Sequence, residues 1–176
     1  MQVLAVGRRL LPWTLTLGAA AAYAFILVTG GVGYRVEHRP MPPLQAARLD
    51  TGEPVTSQTL RGHPVILNVW APSCGPCRDE LPGLDRIAAE YAGRVEVVGL
   101  MGWGTTEEGK AVLEGSDLRH MPLLAGGEAF LGALDVETVP TTFFIRPDGT
   151  LAGRQIGRRG EGFFRDQADK LLAGKL

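Results

Sequence analysis

The chain has 176 residues, of which 45% are hydrophobic and 21% are charged, and its formal net charge at neutral pH is -1. That length fits one folded domain with short additional segments. The balanced charge offers no basic surface of the kind that nucleic-acid binding requires, so we expect no nucleic-acid partner.

The first distinctive segment is an uncharged, apolar run from Leu10 to Val32. At about 1.5 Å per residue this run is long enough to cross a hydrocarbon core of roughly 30 Å. Arg8 and Arg9 precede it, as expected for a cytoplasmic flank, and Arg35 and Arg39 on the far side nearly balance them. A signal peptide cleaved in the alanine-rich stretch Ala19–Ala24 is the alternative.

These features predict four regions. Residues 1–9 form a cytoplasmic N-terminus, and residues 10–32 form a single transmembrane anchor or uncleaved signal in a bacterial cell membrane. Residues 33–44 contain three prolines and form a stiff, extended linker. Residues 45–176 form the folded domain, on the extracytoplasmic (periplasmic) side of the membrane.

Cys74 and Cys77 are the only cysteines, and two residues separate them at the junction between a strand-type run and a helix-type pattern. There the first sulfur meets the unpaired N–H groups and the positive end of the helix, which favour the thiolate. This position predicts a redox-active disulfide in an oxidising compartment. A structural staple is the alternative, although a ring this small constrains the unfolded chain little.

A zinc site would need two further ligands besides the cysteine pair. The three histidines, His38, His63 and His120, are scattered and lack a ligand spacing. We therefore expect neither a metal ion nor another cofactor.

The remaining pattern alternates between strands and helices, with strands at 64–70, 95–100 and 121–125 and helices at 77–91, 105–114 and 128–134. A hairpin follows at 141–146 and 151–156, around the turn Pro147–Thr150. A last helix places Phe164, Ala168, Leu171 and Leu172 on one face. Pro82 is expected to kink the first helix, and Thr105 to Glu108 resembles a capping box. The pattern predicts an α/β fold with a central mixed β-sheet flanked by helices.

The run Trp70–Cys77, Pro82 and the run Val139–Thr141 together resemble the thioredoxin fold, over Leu44–Leu172. The inserted segment between residues 100 and 126, with the N-terminal transmembrane helix, resembles the TlpA/ResA/CcmG group. The members of that group are membrane-anchored, thioredoxin-like thiol–disulfide oxidoreductases.

The resemblance implies a role for each residue of the site. Cys74 attacks a partner's disulfide and Cys77 resolves the mixed disulfide. Pro140 is a cis-proline that presents the backbone of Val139 to a substrate strand. The other substrate-binding positions are Trp70, Gly75 and Pro76. Trp70 packs beside the active-site loop in the family, and plain core packing is its alternative. The glycine and proline let the turn enter the helix without a bulky side chain.

The chain departs from thioredoxin at two positions. Ser73 stands where an aromatic residue usually precedes the first cysteine, and Asn68 stands where thioredoxin has a buried aspartate. Glu80 matches the ResA-type pattern, in which it tunes the thiols and assists proton transfer. A solvated helix charge is the alternative for Glu80, and it is our interpretation of Arg78 and Asp79.

By this resemblance we expect a reductant of disulfides in exported proteins such as apocytochrome c, recharged by a membrane electron donor of the DsbD/CcdA type. General envelope protein folding or metal (copper) stress tolerance is the alternative role. A peroxiredoxin-like peroxidase with antioxidant activity shares the fold. In its cysteine motif the proline lies farther from the cysteine than Pro72, which stands two residues before Cys74, so the spacing does not match.

Overall fold

Eight strands build one mixed sheet in residues 33–176, the part of the chain that the computed structural model describes. The strand order across the sheet is β1-β8-β7-β4-β5-β6-β2-β3. The strands are β1 Tyr34–Pro40, β2 Gln45–Arg48, β3 Pro54–Thr56, β4 Val65–Trp70, β5 Glu96–Met101, β6 Leu123–Gly126, β7 Thr141–Ile145 and β8 Thr150–Ile156. The helices are α1 Gly75–Glu90, α2 Thr106–Glu114, α3 Glu128–Ala133 and α4 Glu161–Leu172.

The centre of the sheet is β4, whose six residues are all buried. It pairs in parallel with β5 and antiparallel with β7, so the predicted mixed sheet is confirmed. Side chains alternate between the two faces of a strand. Ile66 and Trp70 accordingly belong to the apolar core on one face, and Leu67 belongs to the core on the other.

Helices cover both faces of this sheet. Leu84 of α1 and Phe164 of α4 are buried in the core that contains Ile66 and Trp70. Phe130 of α3 is buried in the core on the opposite face. The connection from β4 into α1 begins at the end of this fully buried strand, and the packed core therefore holds it rigidly.

Several local predictions are confirmed. Thr105 and Glu108 form a reciprocal capping box at the start of α2. The β7–β8 hairpin turns through Gly149, which has a positive φ of 85°, and Asp148 accepts a hydrogen bond from the N–H of Thr150. Helix α1 continues through Pro82 to Glu90 and does not end at the proline.

The prediction that residues 33–44 form a linker is wrong. Tyr34–Pro40 is an edge strand that pairs antiparallel with β8, and Met41 and Leu44 are buried. The prolines suggested a free extended spacer, but an edge strand has the same extended backbone and tolerates proline on its unpaired side. The folded domain thus includes the segment from Tyr34 onward.

Strands β2 and β3 were not predicted, because they are only four and three residues long and partly exposed. Leu172 was assigned to the buried face of α4, but it is 41% exposed, while Phe164, Ala168 and Leu171 are buried as expected.

The predicted anchor at residues 10–32 lies outside the described part of the chain. Within residues 33–176, no helix combines the length and the apolar character needed to cross a bilayer.

Candidate active site

The cysteine pair lies where β4 passes into α1. Cys74 is the N-cap residue of α1, and Cys77 lies in its first turn. The two are joined by a disulfide bond with their Cα atoms 5.3 Å apart. Pro76 occupies the first turn, where its missing N–H costs no helical hydrogen bond. The N–H of Cys77 points at the Sγ atom of Cys74, 3.2 Å away.

The two sulfurs differ in accessibility. Cys77 is fully buried in the core beneath α1, whereas Cys74 is half-buried and lines an open cleft of about 330 Å³. A partner's disulfide can therefore approach Cys74 and cannot approach Cys77. This difference supports Cys74 as the attacking thiol and Cys77 as the resolving one.

Opposite the disulfide, the peptide bond between Val139 and Pro140 is cis, as the resemblance implies. The carbonyl oxygen of Val139 lies 3.9 Å from Cys74 Sγ. A disulfide sulfur carries no proton, so this approach is a van der Waals contact in the oxidised state. Among residues 33–176 neither the N–H nor the C=O of Val139 has a backbone partner, so both are free to pair with an incoming strand.

Pro140 itself is buried, and its carbonyl accepts a hydrogen bond from the N–H of Gly157 at 2.8 Å. The hydroxyl of Thr141 donates to the carbonyl of Thr138 at 2.8 Å. These bonds on both sides of the cis bond hold the backbone of Val139 in place beside Cys74.

Glu80 lies one helical turn beyond Cys77, on the same inward face, and is only 3% exposed. It is not a solvated charge, unlike its neighbours Arg78 and Asp79, which are exposed as expected. One carboxylate oxygen accepts from the backbone N–H of Arg159 at 2.6 Å. The other accepts from the amide of Asn68 at 2.9 Å.

Burial raises the pKa of Glu80 from 4.5 to about 7. The hydrogen bonds from Arg159 and Asn68 favour the charged form and limit the rise, as do the positive charges of Arg158 and Arg159. A carboxyl group with this pKa can give and take a proton near neutrality, which is what thiol exchange requires.

Asn68 connects Glu80 to the sheet. Its amide nitrogen donates both to Glu80 and to the hydroxyl of Thr142 on β7, each at 2.9 Å, and Asn68 is fully buried. Sequence reasoning singled out Asn68 and Glu80 but missed Thr142 and Arg159. A polar residue at an inward position of β7, two residues past the proline, was the available signal for Thr142. Arg159 contributes its backbone N–H to the site, so its side-chain type gave no signal in the sequence.

Three further predicted residues have different surroundings. Trp70 is fully buried in the core beneath the active-site turn, which agrees with the core-packing alternative and leaves no side-chain surface for direct contact with substrate. Pro76 is exposed next to Cys74. A Cβ atom on Gly75 would meet nothing within 4 Å, so the protein itself does not require a glycine there.

Within residues 33–176, no three His, Cys, Asp or Glu side chains gather into a group that could hold a metal ion. The chemistry available at this site is that of the two sulfurs, the Glu80 carboxyl and the unpaired backbone of Val139.

A mixed sheet, a Cys-x-x-Cys disulfide at the start of a helix and a cis-proline opposite it define a thioredoxin-like protein. The chain belongs to the AhpC/TSA family, which it matches over residues 38–154.

Two curated relatives match over 109 residues at 28% identity. They are the thioredoxin-like protein YneN of Bacillus subtilis and the thiol-disulfide oxidoreductase ResA of Bacillus cereus. The matches cover 61% of this chain and 64% and 63% of those proteins. The chain thus spans slightly less than two thirds of the length of these relatives.

A solved structure supports the fold. The thiol:disulfide interchange protein of Chlorobium tepidum superposes with a TM-score of 0.69 at 23% identity, covering 78% of this chain and 99% of that one. The expected thioredoxin-like fold and kinship to thiol–disulfide oxidoreductases are therefore confirmed.

Proposed function

We propose that this protein is an exported thiol–disulfide oxidoreductase that reduces disulfides in other proteins through Cys74 and Cys77. The observation that carries the proposal is the asymmetric disulfide at the start of α1. Its outer sulfur lines a cleft beside an unpaired backbone segment, and its inner sulfur is fully buried. The names of the two curated relatives support the same class of activity.

The reaction starts from the reduced pair. The Cys74 thiolate attacks one sulfur of a client disulfide, forming a Cys74–client bond and releasing the second client sulfur as a thiolate that takes up a proton. The Cys77 thiol then loses its proton, and its thiolate attacks the Sγ atom of Cys74. This step releases the first client thiol and leaves the Cys74–Cys77 disulfide. The client gains two electrons from the cysteine pair, and each client sulfur leaves as a thiolate that takes up a proton. Because Cys74 reacts as a thiolate, the pair gives up the single proton of Cys77, and the second proton comes from solvent.

Glu80 is the group suited to receive the Cys77 proton. It lies one helical turn further along the buried face of α1, and its pKa of about 7 lets it be ionised before the transfer and protonated after it. The hydrogen bonds from Asn68 and from the backbone of Arg159 hold both oxygens of the carboxyl group in place on the buried side of α1.

The clients we propose are exported proteins with a Cys-x-x-Cys disulfide, such as apocytochrome c during cytochrome c maturation. The apolar run at residues 10–32 supports export and anchoring in the membrane. The oxidised pair is reduced again by a dithiol donor, for which a membrane protein of the DsbD/CcdA type is our candidate. General envelope protein folding or copper stress tolerance would use the same chemistry on other clients.

Trapping variants test the exchange reaction. Cys77→Ser retains the attacking thiol but lacks the resolving one, so we expect it to accumulate mixed disulfides with a disulfide-bonded peptide, visible by mass spectrometry. Cys74→Ser should trap none, because Cys77 is buried. A better trap in Cys74→Ser would reverse the two roles, and reduced parent protein that leaves every disulfide intact would refute the function.

Hydrogen peroxide provides the contrasting oxidant. A peroxidase would consume it at catalytic rates through one cysteine, whereas a dithiol reductant of protein disulfides should react with it only as slowly as an ordinary thiol. Peroxide consumption by Cys77→Ser that matched its rate of peptide trapping would favour the peroxidase alternative.

A further inference from the structure

Trp103 is an exposed aromatic residue beside the reactive sulfur. Within residues 33–176, three large apolar side chains are well exposed, namely Val36, Trp103 and Leu172. Of these, only Trp103 lines the cleft of about 330 Å³ that contains Cys74. An indole that is 45% exposed next to a reaction centre is a candidate contact for whatever binds there.

The loop that carries Trp103 is held tightly on both sides. The N–H of Gly102 donates to the carbonyl of Trp70 at 2.8 Å. Gly104 has a φ of 108°, and a Cβ atom there would lie 3.0 Å from the ring of Pro72, in the active-site turn. The capping box at Thr105 follows directly. The backbone on both sides of Trp103 therefore packs against the end of β4 and the active-site turn.

Glu137 lines the same cleft, in the loop that leads to the cis-proline. Its side chain is exposed, and among residues 33–176 it forms no ion pair or side-chain hydrogen bond. In the described part of the chain, Cys74 and Glu137 are the ionisable side chains that line this cleft. The cleft thus combines one aromatic face with one unpartnered negative charge.

We propose that this cleft selects client disulfides whose cysteine is flanked by an arginine or lysine side chain. The long aliphatic stem and the cationic head of such a residue suit the face of Trp103, and the carboxylate of Glu137 complements the charge. Trp103 and Glu137 are then specificity-determining residues. This inference rests on the thiol–disulfide exchange proposed above.

Two matched peptides test the selection. Both carry one intramolecular disulfide, and they differ only in having arginine or its neutral isostere citrulline next to the first cysteine. We expect the reduced protein to react roughly tenfold faster with the arginine peptide at low salt, measured as the second-order rate constant of a single turnover by chromatography of the products. The preference should shrink as salt is raised, because salt screens the exposed charge.

Variants assign the preference to the two side chains. Trp103→Ala and Glu137→Gln should each lower the arginine-to-citrulline ratio several-fold, and Trp103→Phe should retain part of it. The matched controls are Leu172→Ala, which removes another exposed apolar side chain, and Glu53→Gln, which removes an exposed charge near the far edge of the sheet. Both controls should keep the parent's ratio.

Charge reversal gives the sharpest outcome. Glu137→Arg should prefer a peptide with glutamate at the flanking position over the arginine peptide. An unchanged ratio in every variant, or an equal loss for all peptides, would overturn the proposed selectivity while leaving the exchange reaction in place. A parent protein that reduces none of the peptides would instead refute the exchange reaction itself.

Discussion

Glu80 is the residue through which pH acts on this site. Its carboxyl group is buried one helical turn beyond Cys77, and it accepts hydrogen bonds from the N–H of Arg159 and the amide of Asn68. Asn68 donates its hydrogen bond to the carboxyl group in either charge state, but unlike an aspartate it cannot exchange a proton itself. The single titrating carboxyl at this position is therefore Glu80, with a pKa raised by burial to about 7.

The first prediction concerns the stability of the oxidised protein. Because the pKa of Glu80 is about 7 when folded and about 4.5 when unfolded, the folded state binds more protons between these values. The contribution of Glu80 to stability is complete below about pH 4.5 and is lost as the pH rises to about 7. Glu80→Gln stays neutral, so it should gain stability over the parent between about pH 5 and pH 8, by up to about 3 kcal/mol.

Urea unfolding of the disulfide form at the two pH values measures this gain. Asp79→Asn, at the neighbouring exposed position of α1, is the matched control and should show no such gain. If the free energy of unfolding changed with pH in the same way in Glu80→Gln and in the parent, Glu80 would titrate as an ordinary exposed acid.

The second prediction concerns the thiols. The carboxylate of Glu80 opposes a nearby thiolate, so Glu80→Gln should lower the pKa of the Cys74 thiol, seen in the pH dependence of its alkylation. Disulfide exchange should slow on the order of 10- to 100-fold, because the proton acceptor is lost. Asn68→Asp should perturb the same profile by placing a second acid against Glu80. Superimposable alkylation profiles would remove Glu80 from the mechanism.

At the scale of elements, the buried carboxylate of Asp85 connects α1 to the inserted segment between residues 100 and 126. Asp85 is 7% exposed, and one of its oxygens accepts hydrogen bonds from the backbone N–H groups of Arg119, His120 and Met121, at 3.1, 2.7 and 2.8 Å. These charge-assisted bonds fix the chain that leads into β6 against the active-site helix.

The third prediction follows from that contact. Asp85→Ala leaves three backbone donors without their partner, so we expect a loss of about 2–4 kcal/mol in the free energy of unfolding. Asp85→Asn keeps an acceptor and should lose less. Asp79→Ala, an exposed position on the same helix, should change stability by less than about 0.5 kcal/mol. A loss in Asp85→Ala no larger than in this control would show that the three bonds contribute little.

At the scale of the whole molecule, the apolar N-terminal run and the folded domain are separate parts of the chain. The domain begins at β1, whose pairing with β8 starts at Tyr34. In the sequence, one residue, Gly33, separates the predicted anchor at residues 10–32 from the first residue of β1.

The fourth prediction is that the protein is found in the membrane fraction with Cys74 on the outer side. An impermeant thiol label applied to intact, reduced cells should tag the parent and Cys77→Ser, but not Cys74→Ser. Labelling that requires cell lysis would contradict this orientation. A mature N-terminus near Ala24 would indicate a cleaved signal peptide.

Much of the fold could be predicted from the sequence, since long buried strands and amphipathic helices have clear periodicities. Strand β4 and helix α1 are examples, and Cys77 and Glu80 follow because a spacing of three puts both on one helical face. Strands β2 and β3 could not be predicted because they are short, and β1 could not because none of its seven residues is buried and it carries no regular apolar alternation. The prolines near β1 also fit an extended linker equally well.

The cysteine pair, its position at the start of a helix and the acid one turn beyond it follow from neighbours along the chain, so they could be read from the residue order. The groups that surround them come together through folding. Thr142 is 74 residues from Asn68 and Arg159 is 79 residues from Glu80. Trp103 and Glu137 likewise meet beside Cys74 only because separate loops converge on one cleft. Such contacts depend on strand register and loop packing, which no local pattern encodes.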